Sequence, residues 1–576
     1  MQGFHQLRRH VSASVLLALG CLLAAAPNAT AEGPTIPGTG AVTGTVTAAK
    51  PFTAAQVYLR NAEKGVTFMV YTKGGKYQAI NLYPGEYELT VGRRGFTADS
   101  QKVTVQAGAT TKADVALKEA DWMPKPGING PSTVVAYPGR ATITDKNVEF
   151  FTDYDKVYPP GPGREVLERV CMSCHGVNFY SLKTLDRTAW DALINMMSKR
   201  NNGMDTGVPP GKMSVKDRAL LLDYLATNMG PDAKPRALAI ASDMPLDEEA
   251  LGKAMYVEYE MPKVGSGRPI GQNPTFDHDG NVWTTDRGTA NGIAKLDPRT
   301  AKWEHYPIPE RAIPHGIAVD AEGMVWWGET VGFKLGRLDP KTAKMERFPL
   351  DPRGYLKGRG HDPIVDADQN VWLTVIIGNR LAKWDRKTQK IALYEPPTPG
   401  SFPYGLDKDK AGNIWISQFT QCRMAKFDPK EEVFTEYPAL SAYDDPFCLI
   451  RRGSVDHNGM VWYGVFSNGK IGKLDPATGK MVEYKMPVAY AEPYDIWPDK
   501  DNNMWIADGA MGGAIIKFDQ KTEKFTFYPA VQRGDIPKIE ITRDGAIWYN
   551  PRSAIKGAVG VLYPDMTKMT GFEARY

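Results

Sequence analysis

The sequence predicts a multidomain chain made of a β-sandwich, a small all-α unit and a seven-bladed β-propeller. Three observations predict it. Tryptophan recurs through the C-terminal half at Trp283, Trp326, Trp372, Trp415, Trp462, Trp505 and Trp548, about every 43 residues. Around Cys171 the apolar residues take a helical period instead. Before both lies a stretch that alternates apolar and polar residues. The chain has 576 residues, against a prior of roughly 150 per domain.

At the N-terminus, Arg8 and Arg9 precede an apolar run from Val15 to Ala26, and Ala29-Thr30-Ala31 supplies small residues. This pattern predicts a signal peptide over 1–31, cleaved after Ala31, and a periplasmic or secreted mature protein. The run is short for a bilayer and no later stretch is longer, so no membrane span is expected. Lys+Arg number 70 against 66 Asp+Glu, with no basic block, which argues against a nucleic-acid partner.

Residues 38–118 carry short alternating runs such as Val42-Thr43-Gly44-Thr45-Val46 and Lys102-Val103-Thr104-Val105, and Pro84-Gly85 turns into Glu86-Tyr87-Glu88-Leu89-Thr90-Val91. The segment resembles the carboxypeptidase regulatory-like domain, which implies a small β-sandwich with a structural or adhesive role and no chemistry of its own. Residues 119–162 are rich in Pro and Gly and read as a linker. A helical unit follows over 163–231. Val166 and Val170 open it, and Ala219, Leu220, Leu222, Tyr224 and Leu225 make its closing amphipathic helix. A second linker covers 232–252, and the propeller 253–576.

The helical unit holds Cys171-Met172-Ser173-Cys174-His175. Two cysteines two residues apart, followed by histidine, suit covalent attachment of haem c: the thiols of Cys171 and Cys174 add to its vinyl groups and His175 becomes an axial iron ligand. One haem per chain is expected. The stretch from Trp190 to Met197 resembles the Trp-containing helix of single-haem cytochrome domains. That resemblance implies Met197 as the sixth ligand, with Met196, Met204 and Met213 as alternatives. Cys422 and Cys448 remain as an even pair, which a disulfide or two buried thiols would both satisfy.

Each propeller repeat runs from an Asp/Gly turn through an apolar residue and Trp to a second turn, such as Leu296-Asp297-Pro298 or Leu338-Asp339-Pro340, and an aromatic-Pro close. Tyr256-Val257-Glu258-Tyr259-Glu260-Met261-Pro262 looks like a closing strand with no blade before it, able to complete the last blade. Eleven residues before Trp stand His315, His361, Tyr404 and Tyr494, and Thr275, Phe447 and Lys538 take similar places if small length changes are allowed. Three residues after Trp stand Asp286, Glu329, Gln418 and Asp508. Both sets are expected to converge on one mouth of the central channel. There His315, His361 and Glu329 are the candidate catalytic residues, with a divalent metal as a possible cofactor.

The repeats, with Pro314-His315-Gly316-Ile317 and Gly323-Met324-Val325-Trp326 among them, resemble the streptogramin (virginiamycin B) lyase family. The family pairs a Pro-His blade with a Glu-Pro-His blade. Here Arg359 stands where the glutamate would precede His361, and Glu492-Pro493-Tyr494 keeps the glutamate but has Tyr for His. The leading expectation is an exported c-type cytochrome for electron transfer, whose propeller binds a small-molecule substrate or a redox partner protein, as in a periplasmic dehydrogenase. A metal-dependent lyase or hydrolase at the propeller mouth and a non-catalytic binding scaffold are the alternatives.

Overall fold

A computed structural model describes residues 33, 35–120, 148–172, 177–198, 213–238, 244–265, 269–288, 290–354, 358–445, 448–488, 491–509, 513–532, 534–552 and 556–574. The expected signal peptide lies outside them.

Six four-stranded antiparallel sheets follow one another as blades 1 to 6, over residues 271–307, 314–349, 360–394, 403–438, 450–485 and 493–529. Blade 7 has three late strands, Ile539–Ile541, Ile547–Tyr549 and Ala558–Tyr563, and takes its fourth from Met255–Glu260, which pairs antiparallel with the last of them from Met255↔Tyr563 to Glu260↔Ala558. The ring is thus closed by a strand that precedes the first blade.

The repeated Asp and Trp are joined by one hydrogen bond per blade. Trp Nε1 donates to the carboxylate six residues earlier: Trp283 to Asp277, Trp326 to Asp320, Trp372 to Asp366, Trp415 to Asp409, Trp462 to Asp456 and Trp505 to Asp499, at 2.8–3.0 Å. The other oxygen of Asp320, Asp366, Asp409, Asp456 and Asp499 accepts a backbone N–H four residues on, which fixes the hairpin turn. Blade 7 has Thr542 at the Asp position, and Trp548 Nε1 is buried without a hydrogen-bond partner.

The N-terminal β-sandwich is present. One of its sheets holds Lys76–Leu82, Gly40–Thr47 and Thr110–Lys112. The other holds Val66–Tyr71, Gln56–Asn61, Gly85–Gly92 and Gln101–Val105. This second sheet does not end at the domain edge. Val66–Tyr71 pairs with the free side of Met255–Glu260, from Met255↔Val70 to Tyr259↔Val66, so an eight-stranded sheet runs from blade 7 into the sandwich. One apolar core spans the join: Val57, Phe68 and Leu89 of the sandwich pack with Val257 and Tyr259, with Phe276 and Leu296 of blade 1 and with Trp548 and Val561 of blade 7. Sequence boundaries suggested separate units; the continuous sheet and core make them one body.

Glu258 lies on the closing strand inside this body, 2% exposed. Tyr549 donates to Oε1 at 2.7 Å and Gln532 to Oε2 at 2.8 Å. Burial outweighs these bonds and pushes the carboxyl up to about 7. Its folded value is raised, so its stabilising contribution is full below the ordinary carboxylate range and is lost as pH rises through about 7. Glu258→Gln should flatten the fall in melting temperature between pH 5 and pH 8, by an amount equivalent to about 3 kcal/mol at most. Identical pH slopes for variant and native protein would contradict this.

The helical unit lies between the paired strands 66–71 and 255–260. Pro162–Val166 continues in wider turns over Leu167–Met172, and Arg187–Ser198 and Val215–Asn228 follow. Ser214 and Asp217 form a reciprocal cap at the start of the last helix. The unit has its own core, around Val166, Leu167, Trp190, Ile194, Leu221 and Leu225. It is not purely helical: Glu149–Phe151 and Arg236–Leu238 pair in parallel where the chain enters and leaves.

Candidate functional site

The channel mouth is built by a repeated irregularity. In blades 1 to 6 the register between the first two strands slips near the start of the first, between Gly271/Pro274, Pro314/Ile317, Gly360/Pro363, Pro403/Leu406, Ile450/Gly453 and Pro493/Asp495. A bulge re-aims consecutive side chains, and proline, which has no N–H to offer the ladder, is tolerated there. The first bulged residues are Gln272, His315, His361, Tyr404, Arg451 and Tyr494; the second, in blades 1 to 5, are Asn273, Gly316, Asp362, Gly405 and Arg452, while in blade 6 the next residue, Asp495, is back in register opposite Ala507.

These side chains meet across the ring. Asn273 of blade 1 donates to Asp362 Oδ1 of blade 3 at 3.0 Å, and Arg452 of blade 5 donates to Asp362 Oδ2. The Tyr404 and Tyr494 hydroxyls, from blades 4 and 6, are 2.5 Å apart, and Arg451 Nη1 donates to Tyr404 at 2.9 Å. Blades 1 and 3, 3 and 5, and 4 and 6 are not neighbours, so they touch through the centre. The two glycines make room. A Cβ on Gly316 would stand 2.3 Å from Asp362 Oδ1, and one on Gly405 3.0 Å from the Arg452 backbone.

His315 and His361 have ring centroids 3.8 Å apart, and His361 lies 4.1 Å from the Tyr404 ring. Both are buried. Burial holds both imidazoles well below their ordinary range; His361 and then Arg287, Arg452 and Arg552 add to this for His315, and Arg452 and Arg287 for His361. Potential ligand atoms of His315, His361 and Asp362 lie within 4.8 Å of one another, the one such group among the described residues.

Two more arginines reach the mouth from four residues past Trp283 and Trp548. Arg287 Nη1 donates to Gln272 Oε1 at 2.7 Å, and Arg552 Nη1 lies 3.4 Å from the same oxygen. Arg552 also pairs with Asp535, its Nε at 2.8 Å. Burial and the Arg552 charge push Arg287 down to about 10. Arg451 sits over the rings of Phe419, Phe466, Tyr494 and Tyr404, at 4.4, 4.5, 4.7 and 5.2 Å. Burial alone would raise the Tyr494 phenol, but Arg451, Arg552 and Arg452 bring it down to about 8.

The expected pair His315 and His361 is therefore brought together, but Glu329 is not with it. Its carboxylate takes two bonds from Arg347 on the outer strand of its own blade, at 2.7 and 2.8 Å, and one from Trp327 at 3.3 Å. The other residues three past Trp are likewise engaged locally. Asp286 accepts from the N–H of Ile270 and Gly288, Gln418 donates to Glu436, and Asp508 accepts from the Glu492 N–H. A β-strand alternates its faces, so the mouth belongs to the next residues, Arg287 and Arg552. Thr275 gives up the first bulged place to Gln272, and Phe447, which lies outside the described residues, gives it up to Arg451; the strand pairing of blade 7 shows no slip, and the residue eleven before Trp548 is Pro537 and not Lys538. A strict count of eleven residues back from each Trp finds Gln272 and Arg451 with no length change.

In the helical unit, Cys171 lies in the last turn of Leu167–Met172, half-buried against the unit's core. Cys174, His175 and Met204 lie outside the described residues, as does the side chain of Met196. Met197 is half-buried near the end of its helix, and Met213 packs against the core just before the last helix. Cys422 and Cys448 form a disulfide, Cα atoms 5.4 Å apart, in the core of blades 4 and 5.

The fold and mouth define a propeller of a recognised kind. The profile of the virginiamycin B lyase family matches residues 252–422 and 397–565, together more than half of the chain, and that of the carboxypeptidase regulatory-like domain matches 41–118. The chain belongs to the virginiamycin B lyase family. Among solved structures, a catalytically inactive His-to-Ala variant of virginiamycin B lyase from Staphylococcus aureus with quinupristin is 20% identical over 54% of this chain and 99% of its own, with a TM-score of 0.47. A streptogramin B lyase is 21% identical over 54% and 97%, at 0.46. The extracellular domain of a one-component system from B. thetaiotaomicron is 12% identical over 53% and 40%, at 0.42. No curated protein matches the chain.

Proposed function

We propose that the chain is an exported c-type cytochrome whose propeller mouth binds a substrate or a redox partner. The observation that carries this is the pentapeptide Cys171–His175, which begins in the last turn of a helix on a unit with its own core. The donor set suits the group: Cys171 and Cys174 would hold haem c through thioethers, His175 would ligate its iron, and Met197, with Met196, Met204 and Met213 as alternatives, would supply a thioether. Bound there, haem c supplies one-electron chemistry. The chain's own part would be to hold the group beside the apolar core of the helical unit, to which Val170, Trp190 and Leu193 belong. The Cys422–Cys448 disulfide supports an oxidising compartment, and so a cleaved signal peptide over residues 1–31. No helix among the described residues is long and apolar enough to cross a membrane.

The reading is tested on protein made with a haem-attachment system. A pyridine haemochrome spectrum should give one haem c per chain, and Cys171→Ser with Cys174→Ser should abolish covalent haem while leaving the β-type circular dichroism intact. Haem content far below one per chain would overturn the reading. Stopped-flow reduction by candidate donors then tests electron entry.

The His315–His361–Asp362 group favours one second reading, a metal-dependent lyase or hydrolase. Metal analysis of the purified protein and the His315→Ala/His361→Ala double variant test it; activity surviving both changes would exclude it.

A further inference from the structure

The mouth gathers four guanidinium groups, those of Arg287, Arg451, Arg452 and Arg552, around a buried histidine pair. Such a setting disfavours a bare divalent cation. Asp362, the one carboxylate in the histidine group, is already engaged by Arg452 and Asn273. Both imidazoles are close enough to Arg287 and Arg452 to feel their charge. A cation placed there would meet two neutral nitrogens, one neutralised carboxylate and several positive charges.

The same setting suits an anion. Donor atoms at the mouth are buried without a hydrogen-bond acceptor: Arg287 Nε, Arg452 Nη2 and Gln272 Nε2. Arg452 is 2% exposed, and a buried guanidinium donor left unmade is costly. Arg287 has a neutral oxygen, Gln272 Oε1, as its hydrogen-bond partner, and its positive charge is strained by Arg552. His315 Nδ1 is also buried and unpartnered, able to donate or accept according to tautomer; His361 Nε2 is unpartnered too but, with Nδ1 donating to the Tyr404 carbonyl at 3.1 Å, is an acceptor in the neutral ring. Guanidinium forks match the planar carboxylate and the phosphoryl group, which accept two parallel N–H bonds.

We propose that the propeller mouth binds a small anion through a carboxylate or phosphoryl group, held by Arg287, Arg452 and Arg552 beside His315 and His361. This rests on the reading that the mouth is a ligand site and names the chemistry of the ligand. Arg287 and Arg552 come from blades 1 and 7 and Arg452 from blade 5, so the anion bridges the ring. The Tyr404–Tyr494 pair and Phe419 and Phe466 flank it and would contact whatever the anionic group is attached to.

The test uses the full chain with inorganic phosphate and malonate as anionic probes, and magnesium and zinc chloride, separately, as cationic ones. Calorimetry should show one saturable site for an anion, and Arg287→Gln should weaken it roughly tenfold or more. Arg287 makes no ion pair among those given by the structure, so this variant should keep the native melting temperature; Arg287→Lys, which keeps the charge and loses the fork, should fall between. A second readout is ultraviolet difference absorbance of the phenolate. One tyrosine should ionise near pH 8, the signal should vanish in Tyr494→Phe, and a saturating anion should move it to higher pH. Binding of zinc or magnesium that is lost in His315→Ala, with no anion effect, would overturn the anion assignment and leave the mouth a ligand site. No binding of any probe would overturn both. Neither outcome touches the haem spectrum.

Discussion

Arg452→Met is expected to destabilise the protein by about 3–5 kcal/mol. The guanidinium is 2% exposed and its partner carboxylate, Asp362, 3%. Truncating the arginine leaves Asp362 buried with Asn273 as its hydrogen-bonding side chain and strands the Pro537 carbonyl, which Arg452 Nε reaches at 3.0 Å. The cost is that of an uncompensated buried charge, not the net worth of the pair. Removing both charges should therefore recover most of it: Arg452→Met with Asp362→Asn keeps an acceptor for Asn273 and leaves neither charge of the pair without the other. Chemical denaturation of the two single variants and the double variant gives the coupling energy directly. A single variant within 1 kcal/mol of native, or a double variant as weak as the sum of the singles, would show that the pair does not hold the channel.

Removing the sandwich is expected to unfold the propeller. A chain beginning near residue 244 would keep the closing strand Met255–Glu260 but bare its second edge, where Val66–Tyr71 pairs through five residue partners. It would also expose Val257, Tyr259, Phe276 and Trp548 on the shared core. An unpaired apolar edge is an aggregation site. Size-exclusion chromatography should show aggregate, and melting should lose its cooperative step. By contrast, replacing residues 148–238 by a short flexible linker should spare both β units, because the helical core is separate from theirs. A soluble, monomeric propeller that melts at the native temperature without its sandwich would refute the first expectation.

The repeat made the propeller legible. Tryptophan recurring about every 43 residues gave blade number, and the Asp-to-Trp spacing proved to be a physical bond in six blades. His315 and His361 were legible as neighbours because bulged residues share a position relative to Trp. Arg451 and Gln272 are legible only when the interval back from Trp is held strictly at eleven residues. Glu329 was misplaced because its strand face was misjudged by one residue, and one residue is enough to turn a strand side chain from channel to flank. The two outlying arginines, Arg287 and Arg552, carried no repeat signature at all: the matching places in other blades hold Thr330, Ile376, Phe419, Phe466 and Gly509. Pairing of Met255 with Val70 was beyond reach of pattern reading, since alternation tells which face of a strand is buried and not which distant strand lies beside it.

That pairing bears on the order in which the molecule can assemble. During synthesis Met255–Glu260 emerges long before its ring partner, Ala558–Tyr563, exists. Alone it would be a sticky, two-edged strand throughout the making of six blades, and closure between such distant segments is slow. Val66–Tyr71 is made earlier still and can dock along one edge at once. The N-terminal module thus offers the closing strand a partner along one edge before the ring exists, and leaves a single edge for the final blade to close on.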